Sequence, residues 1–324
     1  MMSIFLIILA VVLVVILILL FGPKERVSKD LHFDETMLPD DLDAYLAESE
    51  AKYDDMREDT HKRIIWAGTK GKQTALSVIF IHGFSASLGE IRPVPDRVAE
   101  GIGANLYFAR MRGHGRSSAA MSETRPNDWL LDFAEAMAIG RRIGRKVIVV
   151  SVSNGGAITT RGLQFPDMAK DLAALVYIAP NFQLVNKLSF IARLTGARYW
   201  GWLLAGREIG FEPLKEGHAK YWTYRYPPSA VVPMLRIMAE NDRADMSRFK
   251  TPALFMFAKD DKIVNSDRTE KVANSWGANA SIVRMMPGPN DDPDQHVVVG
   301  DICSPDQTEP AIKVILKWLR SLDL

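Results

Sequence analysis

The sequence has little of several features that would assign it to a specialised class. Its 324 residues include one cysteine, Cys303, which excludes an intramolecular disulfide framework and a cysteine-rich metal site. Lysine and arginine (40 residues) nearly balance aspartate and glutamate (39 residues), so the charge gives no electrostatic case for nucleic-acid binding. The 48% of hydrophobic residues can instead bury the core of one large domain.

One long apolar run lies near the N-terminus. Residues 4–21 carry no charge and are about long enough to cross a bilayer as one helix. Basic residues do not precede the run and no small-residue cleavage site follows it, which argues against a cleaved signal peptide. We therefore expect residues 1–23 to be a single transmembrane anchor. Because Lys24, Arg26 and Lys29 follow it, the positive-inside rule predicts a catalytic portion on the cytoplasmic side.

Residues 24–62 are polar and acidic. Apolar residues at helical spacing within residues 40–52 predict a linker that carries an amphipathic helix. A membrane-surface role for this helix is an alternative, but its acidity disfavours binding to anionic lipid.

A strand, a sharp turn and a helix are predicted around Ser153. The β-branched residues 147–150 favour a buried parallel strand, and a small-residue helical pattern follows the turn. In the motif G-x-S-x-G, the middle serine is strained and exposed, while small flanking residues let strand and helix approach each other. Gly155 fits this motif, whereas Ser151 replaces the first glycine. Ser153 is therefore the candidate nucleophile.

Two further motifs precede this turn. A strand over residues 74–81 runs into H-G-F at residues 82–84, and a strand over residues 104–110 runs into R-G-H-G-R-S at residues 112–117. In this order and spacing, these motifs and S-x-S-N-G-G resemble the α/β-hydrolase fold. The nearest branch is that of lysophospholipase, monoacylglycerol-lipase and carboxylesterase-like serine hydrolases.

The resemblance covers the chain from about residue 74 onwards. It implies a mostly parallel central sheet with helices on both faces and an inserted cap. The core would comprise residues 63–181 and 249–324, with the cap at residues 182–248. This cap is rich in tryptophan and tyrosine, which suit an amphiphilic substrate or a membrane interface. Packing of the cap onto the sheet is the alternative explanation for these aromatic residues.

The resemblance also implies the role of the two loops before the serine. Backbone N–H groups of Phe84 and Asn154 would form the oxyanion hole, because in this fold a donor follows the H-G pair and another follows the nucleophile. His114 could be mistaken for a catalytic base, but in the family its loop is structural, with glycines that allow tight turns.

The remaining triad residues are implied near the C-terminus. After a strand over residues 251–257, Asp261 matches the triad acid of the family by its register against Val264, and Asp260 is the alternative. His296 follows the last strand and completes the order serine, aspartate, histidine.

An acidic run, Asp291, Asp292 and Asp294, directly precedes His296. Clustered carboxylates could suggest calcium, but the run lacks the glycine and the distal glutamate of an EF-hand loop. We therefore interpret it as a solvated loop.

Together these features predict a membrane-anchored serine hydrolase that cleaves lipophilic acyl esters, such as monoacylglycerol or lysophospholipid, through an acyl-enzyme on Ser153. The expected partners are the ester substrate and membrane lipid around the N-terminal helix, with no cofactor, metal or nucleic acid. Another acyl hydrolase of the same fold, either aminopeptidase-like or a thioesterase, is an alternative. A non-catalytic binding protein is a second alternative, because Ser151 and Ala258 replace glycines of the family motifs.

Overall fold

The structure, a computed structural model, describes residues 2–23 and 25–324. Met1 and Lys24 lie outside the described residues, and Lys24 is one of the residues used to predict the membrane orientation. The helices are α1 (Met2–Phe21), α2 (Leu42–Glu50), α3 (Val94–Gly101), α4 (Ser118–Glu123), α5 (Pro126–Ile143), α6 (Asn154–Gly162), α7 (Pro166–Ala169), α8 (Ala197–Trp200), α9 (Trp202–Ala205), α10 (Glu216–Tyr221), α11 (Val231–Asn241), α12 (Ser266–Asn274) and α13 (Pro305–Arg320). Short 3₁₀ helices span Glu35–Met37, Lys187–Arg193, Pro228–Ala230 and Met246–Arg248. The strands are β1 (Arg63–Ile65), β2 (Thr74–Ile81), β3 (Asn105–Phe108), β4 (Gly144–Val152), β5 (Leu172–Ile178), β6 (Ile209–Gly210), β7 (Arg225–Tyr226), β8 (Ala253–Ala258) and β9 (Ala280–Met285).

Seven strands form one sheet in the order β1-β3-β2-β4-β5-β8-β9. β1 runs antiparallel to β3, and every other neighbouring pair in this sheet is parallel. Parallel neighbours need long crossover connections, which is why helices alternate with strands along the chain. The predicted mostly parallel central sheet is therefore confirmed. β6 and β7 form a separate antiparallel pair.

Side chains of the sheet alternate between two apolar layers. In β4, Val147 and Val149 pack with α5, α6, α11 and α12 on one face. Ile148 and Val150 pack with α3 and α13 on the other face. The β-branched run is thus a central strand buried on both faces, as expected for a parallel sheet.

The predicted linker, residues 24–62, packs against the core of the fold in its described part. Leu42 and Leu46 of α2 are buried in the same cluster as α5. Glu50, the last residue of α2, forms a buried bidentate ion pair with Arg110 after β3, at 2.6 and 2.7 Å. A charge buried in this way needs its partner, so this pair ties α2 to the core.

The predicted cap insertion, residues 182–248, has two parts. Its first part consists of short helices and the β6–β7 pair, and it reaches the loop after β2, where Thr223 N–H donates to the carbonyl of Ser85 at 2.7 Å. Its second part is α11, which lies in the helical layer of the core. There Leu235 and Ile237 are buried together with α5 and α6.

The N-terminal helix α1 is apolar along its length. Its side chains from residue 3 to residue 18 are exposed. The carbonyl of Pro23, just after α1, accepts a hydrogen bond from Gly196 N–H at 2.9 Å. Within the described residues, no helix combines the length and the apolar character that crossing a membrane requires.

Candidate active site

Ser153 lies at the sharp turn between β4 and α6. Its φ of 47° and ψ of −114° are strained for a residue with a side chain. A side-chain carbon at Gly155 would collide with the carbonyl oxygen of Ile81, so glycine is required where α6 crosses β2. Ser151, which replaces the first glycine of the motif, is buried in β4, and its hydroxyl makes a weak contact of 3.5 Å with the carbonyl of Val176.

The structure brings Ser153, Asp261 and His296 together. Ser153 Oγ lies 2.9 Å from His296 Nε2, and His296 Nδ1 lies 2.8 Å from Asp261 Oδ2. The three residues follow β4, β8 and β9, and the carboxyl ends of parallel strands meet at one edge of the sheet. The contacts have the pattern of a nucleophile, a general base and an acid that orients the base.

The choice between the two neighbouring aspartates is made by their burial. Asp260 is exposed, whereas the side chain of Asp261 is fully buried. Its second oxygen, Oδ1, accepts the backbone N–H groups of Ile263 and Val264 at 2.8 and 2.9 Å. These two bonds fix the carboxylate so that Oδ2 faces the imidazole.

The acidic run before His296 is part of the loop's internal framework. Asp292 is buried, and its Oδ2 accepts the N–H groups of His296 and Val297 at 3.0 and 2.8 Å. Asp291 is also buried and accepts the N–H of Gly288 at 2.7 Å. The prediction of a solvated loop is wrong for both residues, because their buried carboxylates accept backbone N–H groups, and those of Asp292 position His296.

The environment of His296 favours protonation of the imidazole. Burial lowers the pKa of His296, but the charge of Asp261 and its hydrogen bond outweigh burial, with smaller contributions from Asp292 and Glu90. The pKa of His296 is therefore raised above its ordinary value. An imidazole in this position can take a proton from Ser153 and hold it as a stabilised imidazolium.

Two backbone donors lie beside Ser153. Within residues 2–23 and 25–324, neither the N–H of Phe84 nor that of Asn154 donates a hydrogen bond to another group. The Phe84 loop adjoins the turn, because a side-chain carbon at Gly83 would lie 3.3 Å from Ser153 Cβ. Asn154 begins α6, where backbone donors lack intrahelical acceptors. The oxyanion hole of Phe84 and Asn154 stays a prediction, and both N–H groups lack another acceptor in the described residues.

Glu90 is a site residue that the sequence analysis missed. Its carboxyl is buried, and Oε2 accepts the N–H of Gly83, directly before Phe84, at 2.6 Å. Burial raises the pKa of Glu90 to about 8, although the Gly83 N–H and the charge of His296 lower it. A single glutamate in a loop belongs to none of the motifs, so only the folded loop identifies it.

His82 and His114 serve the backbone of the loops after β2 and β3. The Nε2 of His82 accepts the N–H of Met111 at 3.1 Å, and its Nδ1 lies 2.8 Å from the carbonyl of Gly83. Burial lowers the pKa of His82 to about 4 and that of His114 well below its usual range. Both imidazoles are therefore neutral at pH 7, which agrees with the structural interpretation of His114.

The chain matches the model of one known protein family. The family model Hydrolase_4, described as serine aminopeptidase, S33, matches residues 72–288, more than half of the chain. Among curated proteins, none matches the chain.

Solved structures share the fold at low sequence identity. A metagenome-derived lipolytic enzyme, from work on LipS and LipT, is 20% identical over 82% of this chain and 99% of that chain, with a TM-score of 0.67. The monoacylglycerol lipase of Paleococcus ferrophilus is 14% identical over 81% of this chain and 99% of that chain, with a TM-score of 0.58. A soluble variant of the monoglyceride lipase of Saccharomyces cerevisiae is 13% identical over 80% of this chain and 90% of that chain, with a TM-score of 0.56. These similarities confirm the predicted α/β-hydrolase fold.

Proposed function

We propose that this protein, which belongs to the Hydrolase_4 family (serine aminopeptidase, S33), is a serine hydrolase that cleaves carboxylic esters. The observation that carries the proposal is the 2.9 Å contact between Ser153 Oγ and His296 Nε2, with Asp261 on the other ring nitrogen. A serine hydroxyl at its free pKa is a weak nucleophile, and an oriented imidazole is what activates it.

These contacts support the following reaction. His296 Nε2 removes the Ser153 proton while Oγ bonds to the ester carbonyl carbon, and the N–H groups of Phe84 and Asn154 stabilise the resulting oxyanion. The bond to the alcohol then breaks, and the alcohol leaves with the proton from His296. Water attacks the acyl-enzyme with the same base, which releases the carboxylic acid and restores Ser153.

We propose a lipophilic acyl group as the substrate, as in monoacylglycerol or lysophospholipid. A mainly apolar cavity of about 280 Å³ in the cap is lined by residues that include Ile209 and Val231. These two side chains and Phe84 pack against the same small apolar cluster, which contains Tyr226. Apolar space in the cap suits a hydrocarbon chain, and the similar solved structures include lipolytic enzymes.

We also propose that α1 anchors the protein in a membrane. The exposure of its apolar side chains from residue 3 to residue 18 supports this role, because water rarely contacts so continuous an apolar surface. Arg26 and Lys29 after the helix favour a cytoplasmic position for the catalytic portion.

A second candidate activity is aminopeptidase, which the description of the matching family favours. A peptidase would be expected to present acidic cap residues to the substrate amine. Of the glutamates in this region, Glu212 already pairs with Arg225, and Glu240 pairs with Arg243. Glu208 and Glu216 are exposed and form no ion pair among the described residues, so the cap glutamates do not separate the two activities. Ester cleavage is the first candidate because the similar solved structures include lipolytic enzymes.

A substrate panel separates these candidates. The full chain in neutral detergent is assayed with p-nitrophenyl esters of increasing acyl length, with the matching thioesters, and with aminoacyl-anilides. Ser153→Ala serves as the control for uncatalysed hydrolysis. We expect ester turnover that increases with acyl length up to a limit and disappears in Ser153→Ala.

Each contrary result indicates a different function. Anilide cleavage that exceeds ester cleavage would indicate an aminopeptidase, and thioester preference would indicate a thioesterase. No turnover of any substrate by the folded protein would favour the non-catalytic binding protein.

A further inference from the structure

A cavity of about 690 Å³ lies between the segment after α1 and residues 192–199 of the cap. Among the residues that the structure describes, its charged lining residues are six arginines and one acidic residue, Glu25. The arginines are Arg26, Arg125, Arg193, Arg198, Arg236 and Arg243. Ser153, Asp261 and His296 do not line it, so the cavity is separate from the triad.

These arginines outnumber the acidic groups that pair with them. In the described part of the chain, three carboxylates pair with five of the six side chains: Glu25 with Arg125 and Arg198, Asp242 with Arg193, and Glu240 with Arg236 and Arg243. Arg26 is exposed and pairs with no carboxylate of residues 2–23 and 25–324. The excess of guanidinium groups matches the charge and geometry of a phosphate.

The position of the cavity relates it to α1. Pro23, two residues beyond the helix, lines the cavity, and its carbonyl accepts the N–H of Gly196 on the opposite wall at 2.9 Å. A side-chain carbon at Gly22 would lie 3.1 Å from Thr195 Cγ2, so the helix end and the cap are in contact. If α1 spans a bilayer, the cavity lies at the depth of the lipid headgroups.

The cap exposes large apolar side chains on both sides of this segment. They are Leu188, Phe190, Trp202, Leu203 and Leu204, all at least half exposed. Aromatic and aliphatic side chains of this kind favour the boundary between headgroups and acyl chains. Basic and apolar groups thus occur together beside the end of α1.

We propose that this cavity binds the phosphate of an anionic phospholipid in the bilayer around α1, while the exposed apolar side chains of the cap rest in the same leaflet. The proposal rests on the membrane anchor proposed above, and it does not depend on the ester hydrolysis. Binding would hold the cap, and with it the entrance to the substrate cavity, against the membrane surface.

Thermal unfolding of the full chain in neutral detergent tests this binding. Phosphatidylglycerol, phosphatidylcholine and inorganic phosphate are titrated separately, because a ligand that binds only the folded state raises Tm. We expect saturable stabilisation by phosphatidylglycerol. Its apparent Kd should be at least about tenfold lower than those of phosphatidylcholine and inorganic phosphate. In the double variant Arg26→Gln/Arg243→Gln, the apparent Kd for phosphatidylglycerol should rise about 30-fold.

A matched control removes the same charge elsewhere. Arg145 and Lys146 are exposed at the start of β4, outside the cavity lining, so Arg145→Gln/Lys146→Gln should leave the Kd unchanged. Equal weakening in this control, equal stabilisation by phosphatidylcholine, or binding of inorganic phosphate as tight as that of the lipid would each overturn the proposal.

A second readout separates this proposal from the proposed enzyme activity. Hydrolysis of a water-soluble p-nitrophenyl ester should be the same in wild type and in both double variants. Loss of this hydrolysis in Arg26→Gln/Arg243→Gln alone would place the cavity in the substrate site and overturn the proposal. Lipid binding without any ester turnover would support the cavity and contradict only the proposed function.

Discussion

Two sets of histidines differ in what faces the imidazole. His296 faces the carboxylate of Asp261, and its pKa is raised although burial opposes this. His82 and His114 lie against each other, with ring centroids 4.8 Å apart, and near Arg110, and their pKa values are lowered. Burial favours a neutral imidazole in both regions, so the sign of the neighbouring charge decides the outcome.

The comparison shows why only one of these histidines is suited to act as a base. Both loops follow strands of the same sheet, and each histidine is held by hydrogen bonds. In the pair of His82 and His114, Nε2 of His82 accepts the N–H of Met111, so this nitrogen is not free to act as a base. In His296, Asp261 engages Nδ1 and leaves Nε2 for Ser153.

The largest expected effect comes from replacing one histidine in each region. His296→Gln should lower kcat/KM for a p-nitrophenyl ester by about 10⁶-fold, because no base remains for Ser153. His114→Gln should change it by less than about fivefold in the folded protein. Circular dichroism and Tm of both variants establish how much protein is folded. A comparable loss in the two variants would show that the two regions do not differ in function.

The two neighbouring aspartates provide the next largest effect. Asp261→Asn should lower kcat/KM by about 10⁴-fold, because the amide would hold the wrong tautomer of His296. Asp260→Asn, one residue away and exposed, is the matched control and should retain wild-type activity. The reverse order of effects would assign the acid to Asp260.

Glu90 allows a smaller and more specific test. Glu90→Ala removes the acceptor that holds the N–H of Gly83, so the Phe84 donor should shift and kcat/KM should fall about 10²-fold. Glu90→Gln keeps an acceptor oxygen and should lose less activity than Glu90→Ala. Equal activity of both variants and wild type would mean that this bond does not position the oxyanion hole.

The smallest effect is the dependence of the wild-type rate on pH. Protonated His296 cannot accept the Ser153 proton, so kcat/KM should fall as the pH decreases through the pKa of His296. Because that pKa is raised above 6.5, the midpoint of the acid limb should lie above pH 6.5. A midpoint well below pH 6.5 would contradict the dominance of Asp261 over burial.

The sequence predicts well those parts of the site that depend on local pattern. The buried strand before Ser153 follows from a β-branched run, and the need for glycine at residue 155 follows from the approach of α6 to β2. The strand over residues 74–81 is predicted to the residue.

Other parts depend on contacts that the linear sequence does not contain. The sequence around Asp292 predicts a solvated carboxylate, whereas in the folded loop its carboxylate accepts two backbone N–H groups. Glu90 and the ion pair of Glu50 with Arg110 join residues whose proximity comes from the fold alone. The sequence does not predict that α11 packs in the core, because its apolar face would suit a cap equally well.

Reaction of the full chain with a fluorophosphonate, followed by mass spectrometry of the labelled peptide, tests whether Ser153 is an activated nucleophile. We expect one adduct on Ser153 that is absent in Ser153→Ala and in His296→Gln. A folded wild-type protein that takes up no label, or that is labelled at another serine, would contradict an activated nucleophile at the turn between β4 and α6.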